Sequence, residues 1–438
     1  MLSGISAVLW GSSVLMALML TSLPVFVAFM IINLIAVMYM LGAPAFSMLA
    51  NSFYETTTST SLVTIPLFIL MGEVLFRSHA VDVLFRSIDT LIGRVKGRQY
   101  VLSIALATVF SALSGAAMGV AAMMGRSLLP GMVKRGYDPV LSAGNILAGA
   151  SLAPLIPPSV LAIIVGTLAG VSIAELLIAG IIPGLVLAAL FLIYTYIRVY
   201  LNPDLAPQDT ADELAKAYTA QDKWLAVART LPFGLVILSV MGTILSGMAT
   251  PNEAGAMGVL GSVVAAAIYR RLSFRMLAES IASAAKISSM ILIIMASAKL
   301  FSQMLAFSGG ATAMTHWIVN LGYSKWLMLL ILLLLPFVLC MFIDQVALML
   351  IIVPIYKPVL AQLGFDPLWF WLLFLINITV GGLTPPFGYT LFALKGAWAE
   401  GTLGQVYRAA IPFVGLFILG VVIMALFPGL VTFLPNLL

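Results

Sequence analysis

Residues 150–166 read ASLAPLIPPSVLAIIVG, and residues 377–390 read NITVGGLTPPFGYT. Upstream of each lies another echo, Gly136-Tyr137-Asp138-Pro139 and Gly364-Phe365-Asp366-Pro367. The differences 364−136, 366−138 and 385−157 all equal 228, so the copies align without a gap. A period that long reflects gene-scale duplication, not a solenoid. Pro154, Pro157 and Pro158 remove backbone donors and clash with preceding carbonyls, so no continuous helix passes through the first stretch. The freed carbonyls, with the hydroxyls of Ser151 and Ser159, form an oxygen cage suited to a small hard cation. The second stretch repeats the device with Thr379, Gly381, Gly382, Thr384 and Gly388. One proline kink with close-packed glycine is ordinary in a membrane helix. Two at matched positions of a duplicated chain point to a secondary transporter, with its site where the broken helices of the repeats meet.

Composition fixes the solvent. Of 438 residues 62% are hydrophobic and 8% charged, against roughly 25% charged in a soluble domain. With a mean hydropathy of +1.15 this is a polytopic membrane protein. The net charge of +5 sits in short runs between apolar spans, where it sets orientation and not nucleic-acid binding. Cys340 is the lone cysteine, and His79 and His316 are the two histidines, which leaves no transition-metal site and little for an enzyme to work with. Residues 5–20 lack the basic flank and small-residue cleavage site of a signal peptide and read as a first span.

Apolar segments fall at about 5–21, 24–42, 62–76, 99–123, 139–169, 172–199, 231–249, 253–269, 287–308, 326–362, 367–394 and 411–434. The chain divides into a first repeat over 1–200, a polar linker over 201–228 and a second repeat over 229–438. Part of the linker, 210–221, suits a short amphipathic surface helix. Basic residues flank 99–123 on both sides (Arg77, Arg86, Arg94, Lys96 and Arg98 before, Arg126, Lys134 and Arg135 after), so it enters and leaves on one face as a re-entrant hairpin, about 99–134. Its counterpart, about 326–362, has the weaker flanks Lys325 and Lys357 and reads as an external hairpin. The repeats are therefore expected to be inverted. Residues 77–98 alternate charged and apolar side chains and suit an amphipathic arm at the membrane surface. The fold class expected is an all-α polytopic membrane protein of two inverted repeats, with two re-entrant hairpins and two discontinuous helices, 139–169 and 367–394.

The hairpin tips, Ser111 to Gly115 and Phe342 to Gln345, fall in register under the same offset. Asp344 is a deeply placed carboxylate; it either ligates a cation or caps the hairpin's second arm, and both readings are compatible. Lys299 interrupts an apolar run, where it snorkels or pairs with a carbonyl, or faces the path of an anionic substrate. Glu73 and Glu253 read as helix-end charges.

The chain resembles the large membrane subunit of tripartite ATP-independent periplasmic (TRAP) transporters, the dicarboxylate-transporter M type. The matching text includes IPLFILMGEVL (65–75), SALSGAAMG (111–119), LLPGMVKRGYDP (128–139), APLIPPS (153–159), LAGVSIAELLIAGIIPGL (168–185), PNEAGA (251–256), MFID (341–344) and GGLTPPFG (381–388). The resemblance implies sodium-coupled import of an organic acid across the bacterial inner membrane by an elevator mechanism, in the manner of the ion-transporter superfamily. It implies two protein partners, a small four-helix membrane subunit of the Q type and a periplasmic substrate-binding protein, besides the lipid bilayer and a carboxylate substrate. Sodium (Na+) is expected at Ser111, Ser114, Gly115 and Ser151 to Pro154 in one half, and at Asp344, Thr379, Gly381 and Thr384 in the other. The substrate is expected between the tips, near Ala116, Pro157, Pro158, Ser159, Pro385, Pro386 and Lys299. Ala116 departs from the family pattern, which often has a small hydroxyl there, and Lys299 is not part of that pattern. A stand-alone sodium/dicarboxylate symporter of related fold is the alternative.

Overall fold

The computed structural model describes residues 13–14, 25–42, 44–78, 80–92, 97–115, 117–207 and 219–437, and among these the regular structure is helical throughout. Among the described residues, six helical spans are long and apolar enough to cross a membrane: Thr60–Arg77, Ile173–Leu201, Ala220–Leu245, Phe274–Phe307, Gln345–Leu363 and Leu403–Leu426. Most of the expected first span and the linker residues 208–218, with the surface helix proposed there, lie outside the described residues.

The duplication recurs in the helix boundaries. Pro139–Ala150 and Pro367–Gly381 start 228 residues apart, as do Ala117–Ser127 and Gln345–Leu363, since 367−139 and 345−117 give the same offset. Where the copies differ, proline gives the reason. The second half runs unbroken through Phe274–Phe307, whereas the first is divided into Pro44–Thr57, a turn over Thr60–Val63, and Thr64–Arg77. Pro66 occupies the position equivalent to Ile294, and a proline inside a continuous helix would orphan a carbonyl one turn back. The hydroxyls of Thr56, Thr57 and Thr58 fold back onto the carbonyls of Ser52, Phe53 and Tyr54, closing the end of the preceding helix.

Several spans begin earlier than hydropathy places them, because side-chain caps set the start. Thr219 and Asp222 form a capping box that opens Ala220–Leu245, and Thr402 with Gln405 opens Leu403–Leu426. The last span is therefore 403–426, not 411–434, and ends at Phe427-Pro428. The 287–308 segment begins at Phe274, behind the cap Ser273. Segment 172–199 is two helices, Ile173–Ala179 and Ile181–Leu201, parted at Gly180, which packs on the Leu155 carbonyl.

Each hairpin has a first arm (Arg98–Ser114, Lys325–Cys340) and a return arm (Ala117–Ser127, Gln345–Leu363); each interrupted helix has an entry helix (Pro139–Ala150, Pro367–Gly381) and an exit helix (Val160–Ala169, Tyr389–Ala397). First arms pack on the entry helix of their own half. Return arms pack on the exit helix of the other half, 117–127 on 389–397 and 345–363 on 160–169. The first exit helix also touches the second entry helix. This exchange brings both Pro-Pro turns to one shared centre.

Long-range polar ties sort into two sets. One joins helices within 25–77 and 220–320: Asn33 Nδ2 donates to Ser297 O (2.6 Å), Ser52 Oγ to Gln303 Oε1 (2.8 Å) and Asn252 Nδ2 to Thr60 O (2.7 Å), while Glu55 pairs with Lys299 and Arg77 with Glu279. The other joins hairpins, interrupted helices and their neighbours: Thr195 Oγ1 donates to Asn145 Oδ1 (2.7 Å), Asn377 Nδ2 to Leu333 O (2.6 Å) and Trp369 Nε1 to Met424 O (2.9 Å). The arm Ala80–Ile92 links to the second set through Arg98 and Asp89, 2.9 Å apart.

The close packing inside the second set makes a test. A Cβ at Gly149 would lie 2.6 Å from Ala107 Cβ and 3.0 Å from Ile104 O, neither of which can swing away. Gly149→Ala is expected to destabilise by about 1–3 kcal/mol through overpacking. Gly415→Ala, with open space around it, serves as the control. Thermal unfolding of the purified membrane complex checks both, and an unshifted Gly149→Ala melt would refute the tight crossing.

Candidate functional site

The repeated Gly-aromatic-Asp-Pro motif anchors each entry helix. Gly136 and Gly364 adopt φ of 87° and 63°, a left-handed conformation that favours glycine. Asp138 Oδ1 accepts from Leu141 N (2.7 Å) and Asp366 Oδ1 from Trp369 N (2.8 Å), so each aspartate is an N-cap with proline following at the first helical position. The aromatic residue meets the base of the hairpin. Tyr137 packs edge-on against Tyr100, centroids 5.0 Å apart, and the Tyr100 hydroxyl accepts from Asp138 N (3.1 Å). In the second half Lys325 lies 4.9 Å from the Phe365 ring and donates to Gly364 O (2.9 Å). The most conspicuous repeat in the sequence thus fixes where each hairpin starts.

At the far end both entry helices stop and the chain turns through the Pro-Pro pairs, both cis. A matched carbonyl is satisfied in each turn by a hydroxyl from beyond the break. Ser159 Oγ donates to Pro154 O, and Thr390 Oγ1 donates to Gly382 O, where 382−154 is again 228. Ser159 is buried and also accepts from Ala162 N (3.1 Å) as cap of the exit helix. Pro157 and Pro158 are buried as well, whereas Pro386 is exposed, its carbonyl accepting from Tyr407 Oη (2.7 Å).

The hairpin tips reach the ends of the entry helices through a second matched carbonyl. Ser111 Oγ donates to the carbonyls of Gly149 (3.1 Å) and Ala150 (3.0 Å). Cys340 Sγ and Gln345 Nε2 both donate to Ile378 O, each at 3.0 Å, and Ile378 is the equivalent of Ala150. Cys340 and Gln345, which sequence reading did not single out, thus hydrogen-bond the second entry helix as Ser111 does the first. Gln345 lies within the tip segment 342–345, and Cys340 stands two residues before it. Gly115 closes the first tip with φ 61°, and a Cβ there would be 3.7 Å from Pro158 O. Gly381 leaves no space for a side chain against Cys340, so it serves close approach of tip and helix.

Asp344 is exposed and caps the return arm, Oδ1 accepting from Val346 N at 2.9 Å and more distantly from Ala347 N at 3.4 Å. Capping through Oδ1 and cation attraction by the carboxylate are compatible. Thr379 Oγ1 donates to Leu375 O (2.7 Å) and Thr384 Oγ1 to Val380 O (2.7 Å), which orients oxygen lone pairs away from their own helix. Ser151, the equivalent of Thr379, has a buried hydroxyl without a hydrogen-bond partner. A buried hydroxyl left unpaired costs about 1–3 kcal/mol, and an ion would relieve that. This donor set, hydroxyls and turn carbonyls, fits a hard monovalent cation; among the described residues no cluster of His, Cys, Asp and Glu suits a transition metal.

Ala116 and the side chain of Ser114 lie outside the described residues. Lys299 pairs with Glu55 of Pro44–Thr57, beside the Ser52–Gln303 bond. That ion pair belongs to the first polar set, away from the tip and turn bonds. Glu55 went unremarked because residues 44–61 are too polar to register as a span.

The chain matches the family described as tripartite ATP-independent periplasmic transporter, DctM component, over residues 13–430. The C4-dicarboxylate TRAP transporter large permease protein DctM of Pseudomonas aeruginosa is 29% identical over 392 residues, 89% of this chain and 89% of that protein. The ectoine/5-hydroxyectoine TRAP transporter large permease protein UehC of Ruegeria pomeroyi is 30% identical over 86% of each chain. Among solved structures, the Alcanivorax borkumensis YdaH transporter superposes with a TM-score of 0.63 at 16% identity, covering 89% of this chain and 90% of that one, a likeness of fold alone. With nearly its whole length matched, the chain belongs to the DctM family of TRAP transporter large permeases.

Proposed function

We propose that this permease imports an organic acid together with sodium across the bacterial inner membrane, working with a small four-helix membrane subunit and a periplasmic binding protein. The observation that carries this reading is the pair of tip-and-turn junctions brought to one centre, each lined by oxygen. The tips and turns, 111–117, 151–159, 341–345 and 382–388, contain no lysine or arginine. A carboxylate moved into a site that has the Asp344 carboxylate and no fixed positive charge needs a cation, because the Coulomb cost of uncompensated charge rises as the dielectric falls below that of bulk water. Sodium bound at Ser151 and Thr379, with Asp344 attracting it on one side, supplies that charge. The acid in turn offsets the ions, so neither crosses well alone, which is coupling. The relatives' named substrates include C4-dicarboxylates and ectoines.

The two polar sets support an elevator movement of inverted repeats. Directional bonds hold the hairpins, the interrupted helices and their neighbours 181–201 and 403–426 as one body and the helices within 25–77 and 220–320 as another, while contacts between them, such as 160–169 against 64–77, are between helices rich in apolar residues. Apolar contact is non-directional and permits sliding that hydrogen bonds would resist. In this reading the hairpins are re-entrant, and the arms carry the moving body against the frame.

Asp344 separates charge from cap. Asn is as good an N-cap as Asp, whereas Ala costs about 1 kcal/mol of helix stability. Asp344→Asn is expected to keep the thermal stability of the complex yet lower sodium-driven uptake in proteoliposomes about tenfold, the equivalent of about 1.4 kcal/mol. Full sodium-driven uptake by that variant would remove Asp344 from the cation site.

Ser151→Ala gives a complementary test. Removing an unpaired buried hydroxyl relieves a penalty, so the variant should melt higher than the parent in potassium buffer. It should also gain less on adding sodium. A parent-like sodium shift would argue that Ser151 is no ligand.

A further inference from the structure

Two large aromatic side chains stand exposed beside the second tip. Phe342, on the tip itself, is 50% exposed, and Phe387, directly after Pro385-Pro386, is 60% exposed. Their ring centroids lie 5.9 Å apart at 53°, a contact that joins tip to turn. Asp344 follows Phe342 by two residues and is itself exposed, as is Pro386. An exposed carboxylate so close marks this surface as facing a hydrated cavity and not lipid chains. The first half lacks the device: the equivalents of Phe342 and Phe387, 228 residues earlier, are Ser114 and Ser159. The two halves of the shared centre therefore differ in kind. One contributes serine positions, the other an aromatic wall.

We propose that Phe342 and Phe387 form an apolar subsite that selects a monocarboxylate with an apolar or aromatic tail over a short dicarboxylate. The inference rests on the transport reading above and names its substrate class. The faces of a phenyl ring carry partial negative charge, so they repel a carboxylate and welcome hydrocarbon or a ring edge. A dicarboxylate spanning the centre would press one charged end against these rings, with no lysine or arginine in the tips or turns to compensate. An acid with one charged end places it among the oxygen-bound ions and lays its tail on Phe342 and Phe387, removing apolar surface from water on both partners. Phe387 takes part in none of the tip-and-turn hydrogen bonds, which leaves its ring for a ligand.

The test uses the permease purified with its small subunit in nanodiscs, titrated with phenylacetate, hexanoate and succinate in sodium or potassium buffer and read by ligand-induced thermal shift. Phenylacetate and hexanoate are expected to bind in sodium more tightly than succinate. Phe387→Ser should lower the phenylacetate-to-succinate preference roughly tenfold, the scale of a lost hydrophobic pocket contact, and Phe387→Tyr should retain it. In a second measurement, Phe387→Cys in a Cys340→Ala background is labelled by a water-soluble maleimide, and phenylacetate with sodium slows the labelling. Sodium-dependent binding with succinate preferred, or a preference unchanged in Phe387→Ser, overturns this inference and leaves sodium-coupled acid transport standing. Absence of labelling places Phe387 against lipid and also overturns it. Binding of no acid in either buffer overturns the transport reading, and this inference with it.

Discussion

A carbonyl that loses its helical partner inside a membrane has no water to turn to. That constraint organises the centre of this permease. Each of its two interrupted helices frees backbone oxygens where the chain passes through Pro-Pro, and an unsatisfied group there costs several kcal/mol. The protein answers with side chains brought from a distance. Ser111 adds to the short-turn bonds that Gly149 and Ala150 accept from Leu152 N and Ala153 N, Cys340 and Gln345 cover Ile378, Ser159 covers Pro154, and the Thr390 hydroxyl joins its own N–H on Gly382. The bonds from Ser111, Cys340 and Gln345 tie each hairpin tip to the end of its entry helix.

The rest of the hairpin assembly follows from that requirement. For a tip to arrive in register, the hairpin base must be fixed relative to the entry helix, and the Gly-aromatic-Asp-Pro motif does this at the opposite end. For two tips to serve one centre, each return arm must cross to the other half, as the packing of 117–127 on 389–397 and of 345–363 on 160–169 achieves. Low dielectric strengthens each hydrogen bond of this assembly, which holds it together as one unit.

Much of this was legible in the sequence. The 228-residue offset, the Pro-Pro turns and the aligned tips are written in residue types whose backbone consequences are strong and local. What hydropathy misplaced was mostly helix starts: Ala220, Phe274 and Leu403 begin where Thr219, Ser273 and Thr402 cap them, and capping is invisible to a measure of apolarity. The partner of Lys299 was hidden for another reason. Glu55 lies 244 residues away in sequence on a helix too polar to count as a span, and no local pattern pairs two such residues. Gln345 lies in the tip segment and Cys340 two residues before it, but at the 228 offset they stand opposite Ala117 and Ala112, so the alignment does not announce a task shared with Ser111.

Comparing the two halves separates what the backbone demands from what a ligand demands. The Ala150 and Ile378 carbonyls are both satisfied, yet by serine in one half and by cysteine with glutamine in the other; any donor of suitable reach suffices. The following position behaves differently. Ser151 and Thr379 are both hydroxyl residues although the protein uses them differently, Thr379 bonding back to Leu375 and Ser151 bonding to nothing. If either hydroxyl existed only to satisfy its own helix, Ser151 would have no reason to differ from alanine, which would spare the cost of an orphaned group. What the two positions share is an oxygen with unused lone pairs at the end of an entry helix, and that is the property a bound cation requires.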